Sequence, residues 1–218
     1  MRKIIPLGDQ AVLAYLPDEA TAMRFAAAVR AAGFDWLQDV VPAYASVGIF
    51  FDAERVSLRE VMKALEVLKV STSTGAAPGR SHRIPCCYEM QLDLQRVAEH
   101  TGLTTEEVIA RHTANEYTIY AIGFCPGFPY LGYLPPELSR VPRLPSPRLR
   151  VEPGSIGLTG RQTGVYPLAR PGGWNLIGRT PLVLVDVEAN YFPLAVGDRV
   201  HFERIDEAEY RRLEGERL

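Results

Sequence analysis

Residues 123–186 read GFCPGFPYLGYLPPELSRVPRLPSPRLRVEPGSIGLTGRQTGVYPLARPGGWNLIGRTPLVLVD. This segment contains 10 of the 18 glycines and 11 of the 17 prolines of the chain. Glycine allows close approach of backbones, and proline fixes the loop that results. Strand-forming apolar residues run through the whole segment, which a flexible linker would lack. We therefore expect rigid, shaped loops on a β scaffold, and we expect them to form the functional surface.

Positive charge is concentrated in the same segment. It carries seven arginines, no lysine and three acidic residues, a local charge of +4 in a chain whose net charge is −2. A focused basic excess suits a small anionic ligand. The overall balance argues against general binding to nucleic acid or to a membrane surface.

We expect neither a membrane span nor a secretion signal in this sequence. No apolar stretch approaches the roughly 20 residues that span a bilayer, and the first ten residues, MRKIIPLGDQ, lack the apolar core of a secretion signal. The three cysteines are an odd number, and Cys86 and Cys87 are adjacent, so they do not form a disulfide framework. We expect a cytoplasmic protein.

Residues 1–70 show a β-α-β-β-α pattern. Asp18 is suited to cap a first helix, and Ser57 with Glu60 forms a capping box for a second. The strands at residues 36–41 and 45–51 are expected to be joined by a turn at Pro42. The predicted strands lie at residues 10–16, 36–41 and 45–51. The pattern indicates a small α/β sandwich of the ferredoxin-like type.

A second domain is predicted over residues 82–205, after a linker at 71–81 that has turn composition. Helices are expected at 93–101 and 105–112, the latter with a capping box formed by Thr104 and Glu107. The predicted strands lie at residues 82–88, 117–123, 155–159, 164–167, 182–186 and 199–205. Short strands separated by turns are typical of a β-barrel, so the fold class is α+β. Residues 206–218 are predicted as a terminal helix or tail.

A long, ordered set of motifs resembles one protein family. The matching segments are His112-Thr113, Tyr117, Gly123-Phe124, Pro126–Leu131, Pro147-Arg148, Gly154-Ser155, Gln162-Thr163-Gly164, Tyr166-Pro167, Pro171–Trp174 and Ile177–Pro181. They resemble the family of the B-type subunit of 5-oxoprolinase, also labelled allophanate hydrolase subunit 1, which includes an inhibitor of a sporulation histidine kinase.

The resemblance implies a fold, an activity and partners. It implies that the barrel is cyclophilin-like and that the chain works in the ATP-dependent opening of 5-oxoproline to L-glutamate. It implies a second, related subunit of the C type, with room for a third component, and the use of ATP with Mg²⁺. Which subunit binds ATP stays open, and the partner is one candidate. Related modules form the carboxyl-transfer region of urea carboxylase. A chain of this kind is expected to be inactive without its partner subunit.

Phosphate and carboxylate chemistry would need positively charged groups. The candidate clamps are Arg148, Arg161 and Arg179, with Arg170 a weaker one. The alternative is that each of them braces a loop by donating to backbone carbonyls. No Walker A sequence is present, although glycine-rich turns such as Gly172-Gly173 can present N–H groups to an anion.

Polar and aromatic candidates complete the predicted site. Ser155, Gln162, Thr163 and Tyr166 are suited to hydrogen bond an amide or a carboxylate. His112 is either a structural histidine at a helix C-terminus or a general base. The last group is expected to wall a pocket, anchor a partner or pack in the core, and consists of Pro126, Phe128, Tyr130 and Trp174. No ligand spacing for a metal is present.

Two other functions remain open at this point. A protein-binding regulator that inhibits a histidine kinase would use the proline-aromatic loops to grip a partner helix. Within the enzyme class, allophanate or another acyl urea is a rival substrate. Prolyl isomerase activity would rest on fold analogy alone.

Overall fold

The computed structural model describes residues 2–70 and 79–218. The chain divides into two compact units, Met1–Pro78 and Gly79–Leu218, which are described separately below. Most of the predicted linker, residues 71–78, lies outside the described residues, and Ser81 at its end already belongs to a strand.

The first unit is a four-stranded antiparallel sheet with two helices. Its elements are β1 (Lys3–Pro6), β2 (Ala11–Tyr15), α1 (Glu19–Ala31), β3 (Leu37–Ala43), β4 (Ser46–Phe51) and α2 (Leu58–Val67). The strand order is β1-β2-β4-β3. Strand β4 therefore separates β2 from β3, which makes β2-α1-β3 a split unit. Strand β1 was not predicted, and it occupies the edge beside β2. The ferredoxin-like assignment itself stays a prediction.

Local capping signals position both helices of this unit. The Asp18 carboxylate accepts from the Thr21 amide at 2.6 Å, and the predicted capping box of Ser57 and Glu60 is confirmed. The predicted turn at Pro42 is wrong. Pro42 lies inside the edge strand β3, where a missing N–H is tolerated, and the chain reverses at Tyr44, whose φ is +53°.

The second unit contains nine strands and three helices among its described residues. They are β5 (Ser81–Cys87), α3 (Leu94–Thr101), α4 (Thr105–Thr113), β6 (Glu116–Ile122), β7 (Pro129–Gly132), β8 (Arg148–Val151), β9 (Ser155–Thr159), β10 (Gln162–Val165), β11 (Arg170–Gly172), β12 (Asn175–Arg179), β13 (Arg199–Ile205) and α5 (Glu207–Leu213). A short 3₁₀ turn, Pro136–Leu138, follows β7. The capping box of Thr104 and Glu107 is confirmed at the start of α4.

Seven of these strands form a closed barrel in the order β10-β7-β6-β13-β5-β12-β9. Strands β5 and β13 pair in parallel, and the other pairs are antiparallel. Strands β8 and β11 form a separate two-stranded ribbon. Ile84, Ile119 and Phe202 are fully buried in the main core of this unit. The predicted α+β class and the β-barrel are confirmed.

One predicted strand is wrong and several strands were missed. Residues 182–186 form only isolated bridges, Val183 with Arg217 and Asp186 with Tyr191. Their apolar side chains resemble a buried strand, but their bridge partners are a C-terminal residue, Arg217, and a nearby loop residue, Tyr191, and not a strand of a sheet. Strands β7, β8, β11 and β12 were not predicted: glycine or proline interrupts the patterns of β7, β11 and β12, and β8 has only four residues. Within residues 2–70 and 79–218, no helix has the length and apolar character needed to cross a membrane.

Candidate active site

A small aromatic core, distinct from the main barrel core, includes Phe128, Tyr166 and Trp174. All three side chains are at most 5% exposed. The Phe128 ring meets those of Tyr166 and Trp174 edge to face, with centroids 5.1 and 5.5 Å apart. Such pairs prefer defined angles, so they hold one another in fixed orientations. The result is a rigid aromatic surface.

Two glycines make this packing possible. A Cβ atom at Gly164 would lie 2.8 Å from the Pro129 carbonyl oxygen and 3.2 Å from the Trp174 ring. A Cβ atom at Gly172 would lie 2.5 Å from the Tyr166 hydroxyl. Contacts this short force a neighbouring group to shift, so glycine is required for the rings to lie directly against the backbone.

The aromatic surface encloses a cleft of about 120 Å³. Its walls are aromatic side chains and the turn of residues 171–174, and its lining includes Arg143. Phe124 is part of the wall although it is 59% exposed, so the cleft is open on that side. We refer to it as the aromatic cleft. Of the predicted site residues it brings together Phe128, Tyr130, Tyr166, Gly172, Gly173 and Trp174.

The loop that carries Arg143 is fixed on both sides of that residue. The Asn175 side-chain amide donates to the Pro142 carbonyl at 2.9 Å, and the Leu144 amide donates to the Gly173 carbonyl at 2.8 Å. The backbone around Arg143 is therefore held by Gly173, within the turn that forms the cleft wall, and by Asn175, directly after that turn. Sequence reasoning missed this arginine. The prolines at 142 and 145 that flank it were the available signal.

The tyrosines of the cleft stay protonated near neutral pH. Burial raises the pKa of Tyr166 to about 12, partly opposed by a hydrogen bond from the Trp174 backbone and by the charge of Arg143. Burial also raises the pKa of Tyr130, and Arg143 again acts in the opposite direction. Both hydroxyls are therefore hydrogen-bond donors and acceptors, not anions.

A second cleft, of about 210 Å³, contains Ser155 and Arg179. The Arg179 Nε donates to the Pro153 carbonyl at 3.0 Å, so this side chain braces the loop before β9. Arg150, also in the lining, pairs with Glu152 at 2.6 Å. Apolar side chains such as Leu92 form the remaining wall. The charges at this cleft are thus largely engaged within the fold.

The predicted arginine clamps are not brought together. Arg148 pairs with the buried Asp93 at 2.7 Å, and Asp93 also accepts from the Leu176 amide. Arg161 lies over the Tyr133 ring, 4.1 Å from its centroid. Arg170 is exposed and donates to the Ala169 carbonyl. Each guanidinium has a separate local partner, and Arg143 is the arginine that lines the aromatic cleft.

His112 is buried in the second unit, away from the linings of both clefts. The Thr163 hydroxyl donates its single hydrogen to the Gly157 carbonyl at 3.1 Å, so it accepts from His112 Nε2 at 2.9 Å. His112 Nδ1 then accepts from the Tyr88 hydroxyl at 2.7 Å. Burial lowers the pKa of His112 to about 3, which keeps it neutral. The structure gives both His112 and Thr163 internal partners.

The remaining candidates lie at the surface or in loops. Gln162 is partly exposed at the start of β10, and Pro126 is exposed in the loop before β7. Cys125, in the same loop, is buried, and burial raises its pKa. Within the described residues, no three histidine, cysteine, aspartate or glutamate side chains converge to hold a metal ion.

The first unit has a groove of its own, of about 550 Å³, lined by Leu16, Pro17, Val70 and Arg2 among others. The Arg2 guanidinium donates to the carbonyls of Glu66 and Leu68, at 3.0 and 2.5 Å. This arginine therefore ties the end of α2 to the N-terminal strand. The rest of the lining is mainly apolar, so the groove offers few groups for a charged ligand.

Comparisons with known proteins agree with this architecture. Residues 2–194 match the family model for the carboxyltransferase domain, subdomain C and D. The B-type subunit of 5-oxoprolinase from Bacillus subtilis (strain 168) is 36% identical over 98% of this chain and 97% of its own length.

Solved structures share the fold. The crystal structure of TTHA0988 superposes on 90% of this chain with a TM-score of 0.77 and 35% identity, and this chain covers only 40% of that longer polypeptide. The urea amidolyase of K. lactis superposes on 97% of this chain with a TM-score of 0.78, but at 16% identity this likeness shows the fold alone. The match spans 15% of the urea amidolyase chain. The family match over residues 2–194 and the 36% identity to the Bacillus subtilis subunit show the family of this chain. It belongs to the carboxyltransferase-domain family, subdomains C and D, which contains the B-type subunits of 5-oxoprolinase.

Proposed function

We propose that this chain is the B-type subunit of an ATP-dependent 5-oxoprolinase, which opens 5-oxoproline to L-glutamate together with a second, C-type subunit and a third component. The observation that carries the proposal is the 36% identity to a 5-oxoprolinase subunit of the same type over nearly the full length of both chains. The reaction adds water across the lactam amide, so that the ring C–N bond breaks and a carboxylate and an amine form.

The need for a partner has independent support. This chain covers 40% of the longer TTHA0988 polypeptide, so a relative joins the equivalent of this chain to further protein. The aromatic cleft is open at Phe124, whose ring is 59% exposed. A partner subunit that covers this side would exclude water from the cleft, which strengthens electrostatic interactions within it.

The two described clefts of the second unit are small for ATP. Their volumes are about 120 and 210 Å³, below the roughly 300–1,000 Å³ of pockets that enclose a drug-sized ligand. The arginines Arg148, Arg161 and Arg179 are engaged separately, so they do not form one phosphate clamp. We therefore assign ATP and Mg²⁺ to the partner subunits, and we assign to this chain the binding and orientation of a small substrate.

Reconstitution tests the proposal. The chain is co-expressed with its cognate C-type subunit and third component, and ATP hydrolysis and glutamate formation are measured with and without 5-oxoproline. We expect both signals only when every subunit is present, and almost none from this chain alone. Allophanate and urea, offered to the same complex, test the rival substrates. An assembled complex that neither forms glutamate nor hydrolyses ATP in response to 5-oxoproline would refute the proposal.

A further inference from the structure

Arg143 stands out in the aromatic cleft, because among the described residues it is the one charged side chain of the lining and no acidic residue accompanies it. Within the residues that the structure describes, the Arg143 guanidinium makes no ion pair and no side-chain hydrogen bond. Arg148 and Arg179, in contrast, have partners in the fold. An exposed guanidinium over an aromatic cleft, with its donors unused, is suited to a carboxylate.

Hydrogen bonds fix the backbone on both sides of Arg143 before any ligand binds. Asn175, which is fully buried, holds the preceding residue through the Pro142 carbonyl, and Gly173 holds the following residue through the Leu144 amide. The loop backbone therefore loses little conformational freedom on binding. A site held in this way by surrounding hydrogen bonds is preorganised for its ligand.

The other walls define the rest of the ligand. Phe128 and Trp174 present rigid apolar surfaces, and the Tyr130 side chain borders the same space. A cleft of about 120 Å³ excludes a nucleotide or a peptide segment of several residues. The ligand that these features share is a small molecule with one carboxylate and a compact ring that can lie against aromatic side chains.

We infer that Arg143 binds the carboxylate of 5-oxoproline while the aromatic walls of the cleft hold its five-membered ring. This inference deepens the proposed function and rests on it for the identity of the ligand. In this scheme the chain captures the substrate by itself, and the partner subunits supply the activation.

Binding to the full chain can be observed without turnover. The chain contains two tryptophans, Trp174 in the cleft wall and Trp36 in the first unit, so their indole N–H signals in an NMR spectrum form a probe and an internal control. We expect millimolar 5-oxoproline to shift the Trp174 signal in a saturable way and to leave the Trp36 signal in place. Absence of a saturable Trp174 shift at such concentrations would overturn the inference.

Two comparisons isolate the carboxylate contact. Arg143→Gln should raise the Kd for 5-oxoproline about tenfold or more, the effect of losing a charge-assisted hydrogen bond. Pyrrolidinone, the same lactam ring without the carboxylate, should bind the unaltered chain as weakly as 5-oxoproline binds this variant. Arg140→Ala removes an equal charge from an exposed position three residues earlier and should leave the Kd unchanged. Equal Kd values for the unaltered chain and Arg143→Gln would contradict the role of Arg143.

The two proposals fail in different ways. A reconstituted complex that turns over 5-oxoproline, while the Trp174 signal and Arg143→Gln show no effect, overturns the cleft assignment alone. Binding at the cleft that depends on Arg143, in a complex that never forms glutamate, overturns the 5-oxoprolinase activity alone. In an active complex, Arg143→Gln should raise KM for 5-oxoproline about tenfold.

Discussion

The side-chain amide of Asn175 lies 2.9 Å from the Pro142 carbonyl oxygen, and so joins strand β12 to the loop that presents Arg143. The same amide also donates to the Leu158 carbonyl, and its oxygen accepts from Arg96 Nε. Asn175 is fully buried; its bond to Leu158 is buried as well, and the bonds to Pro142 and Arg96 are partly buried. This side chain holds the loop, the barrel and helix α3 together.

We predict that Asn175→Ala destabilises the second unit by about 2–4 kcal/mol, because two carbonyls and a guanidinium lose a buried partner. The measurement is urea unfolding followed by the indole N–H signal of Trp174, which reports the second unit, with that of Trp36 reporting the first. The variant should also weaken 5-oxoproline binding, since Arg143 is no longer fixed. Asn115→Ala is the matched control. Among the described residues, the Asn115 amide group donates to the Arg111 carbonyl near the end of α4 alone, and its loss should cost less than about 1 kcal/mol. Equal costs for the two variants would contradict the role of Asn175.

We predict that the buried His112 makes stability depend on pH. An unfolded histidine binds a proton below a pH of about 6.5, whereas the folded pKa of His112 is lowered to about 3. The contribution of the neutral His112 to the free energy of unfolding is complete above a pH of about 6.5, and it is lost as the pH falls from about 6.5 towards 3. Between about pH 7 and pH 5 the loss is about 2 kcal/mol.

Urea unfolding of the unaltered chain and of His112→Gln at several pH values tests this dependence. The variant should be less stable at neutral pH, because it disturbs the bonds to Tyr88 and Thr163. The difference between the two proteins should shrink by about 2 kcal/mol at about pH 5. His100→Gln, on the exposed face of α3, should keep the full pH dependence. A constant difference between the unaltered chain and His112→Gln would show that His112 titrates normally in the folded state.

Local signals in the sequence predicted local structure well. Strands β9 and β13 lie at the predicted residues 155–159 and 199–205, and both capping boxes formed as expected. Each of these signals depends on neighbours within a few residues. The strand predicted at 182–186 shows the limit, because an apolar run does not reveal whether a partner strand exists.

The site depended on contacts between distant residues, which composition does not reveal. Arg148 meets Asp93 across 55 positions, and Asn175 meets Pro142 across 33. The first contact occupies an arginine that the motifs presented as a ligand clamp. The second gives a fixed position to Arg143, which lies outside all of the family motifs. The sequence therefore indicated the aromatic and glycine residues of the cleft but not its charged group.

We predict that Arg148→Ala lowers stability by about 1–3 kcal/mol, because it removes a partner from the buried Asp93 carboxylate in a pair that water partly reaches. Arg150→Ala, two residues along β8, breaks an exposed pair with Glu152 and should leave the stability nearly unchanged, because water screens that pair. Urea unfolding of both variants makes the comparison. Arg143→Ala should leave stability unchanged. A loss of 5-oxoproline binding in Arg148→Ala without any loss of stability would instead assign Arg148 to the ligand.

We predict that Gly172→Ala closes the aromatic cleft, since its Cβ atom would lie 2.5 Å from the Tyr166 hydroxyl. The Tyr166 ring is packed against Phe128 and must shift, which should cost about 1–3 kcal/mol and abolish the Trp174 response to 5-oxoproline. Gly123→Ala is the control, because no described atom lies within 4 Å of its added Cβ. It should bind 5-oxoproline as the unaltered chain does. Unimpaired binding by Gly172→Ala, measured by the same NMR titration, would place the ligand outside this cleft.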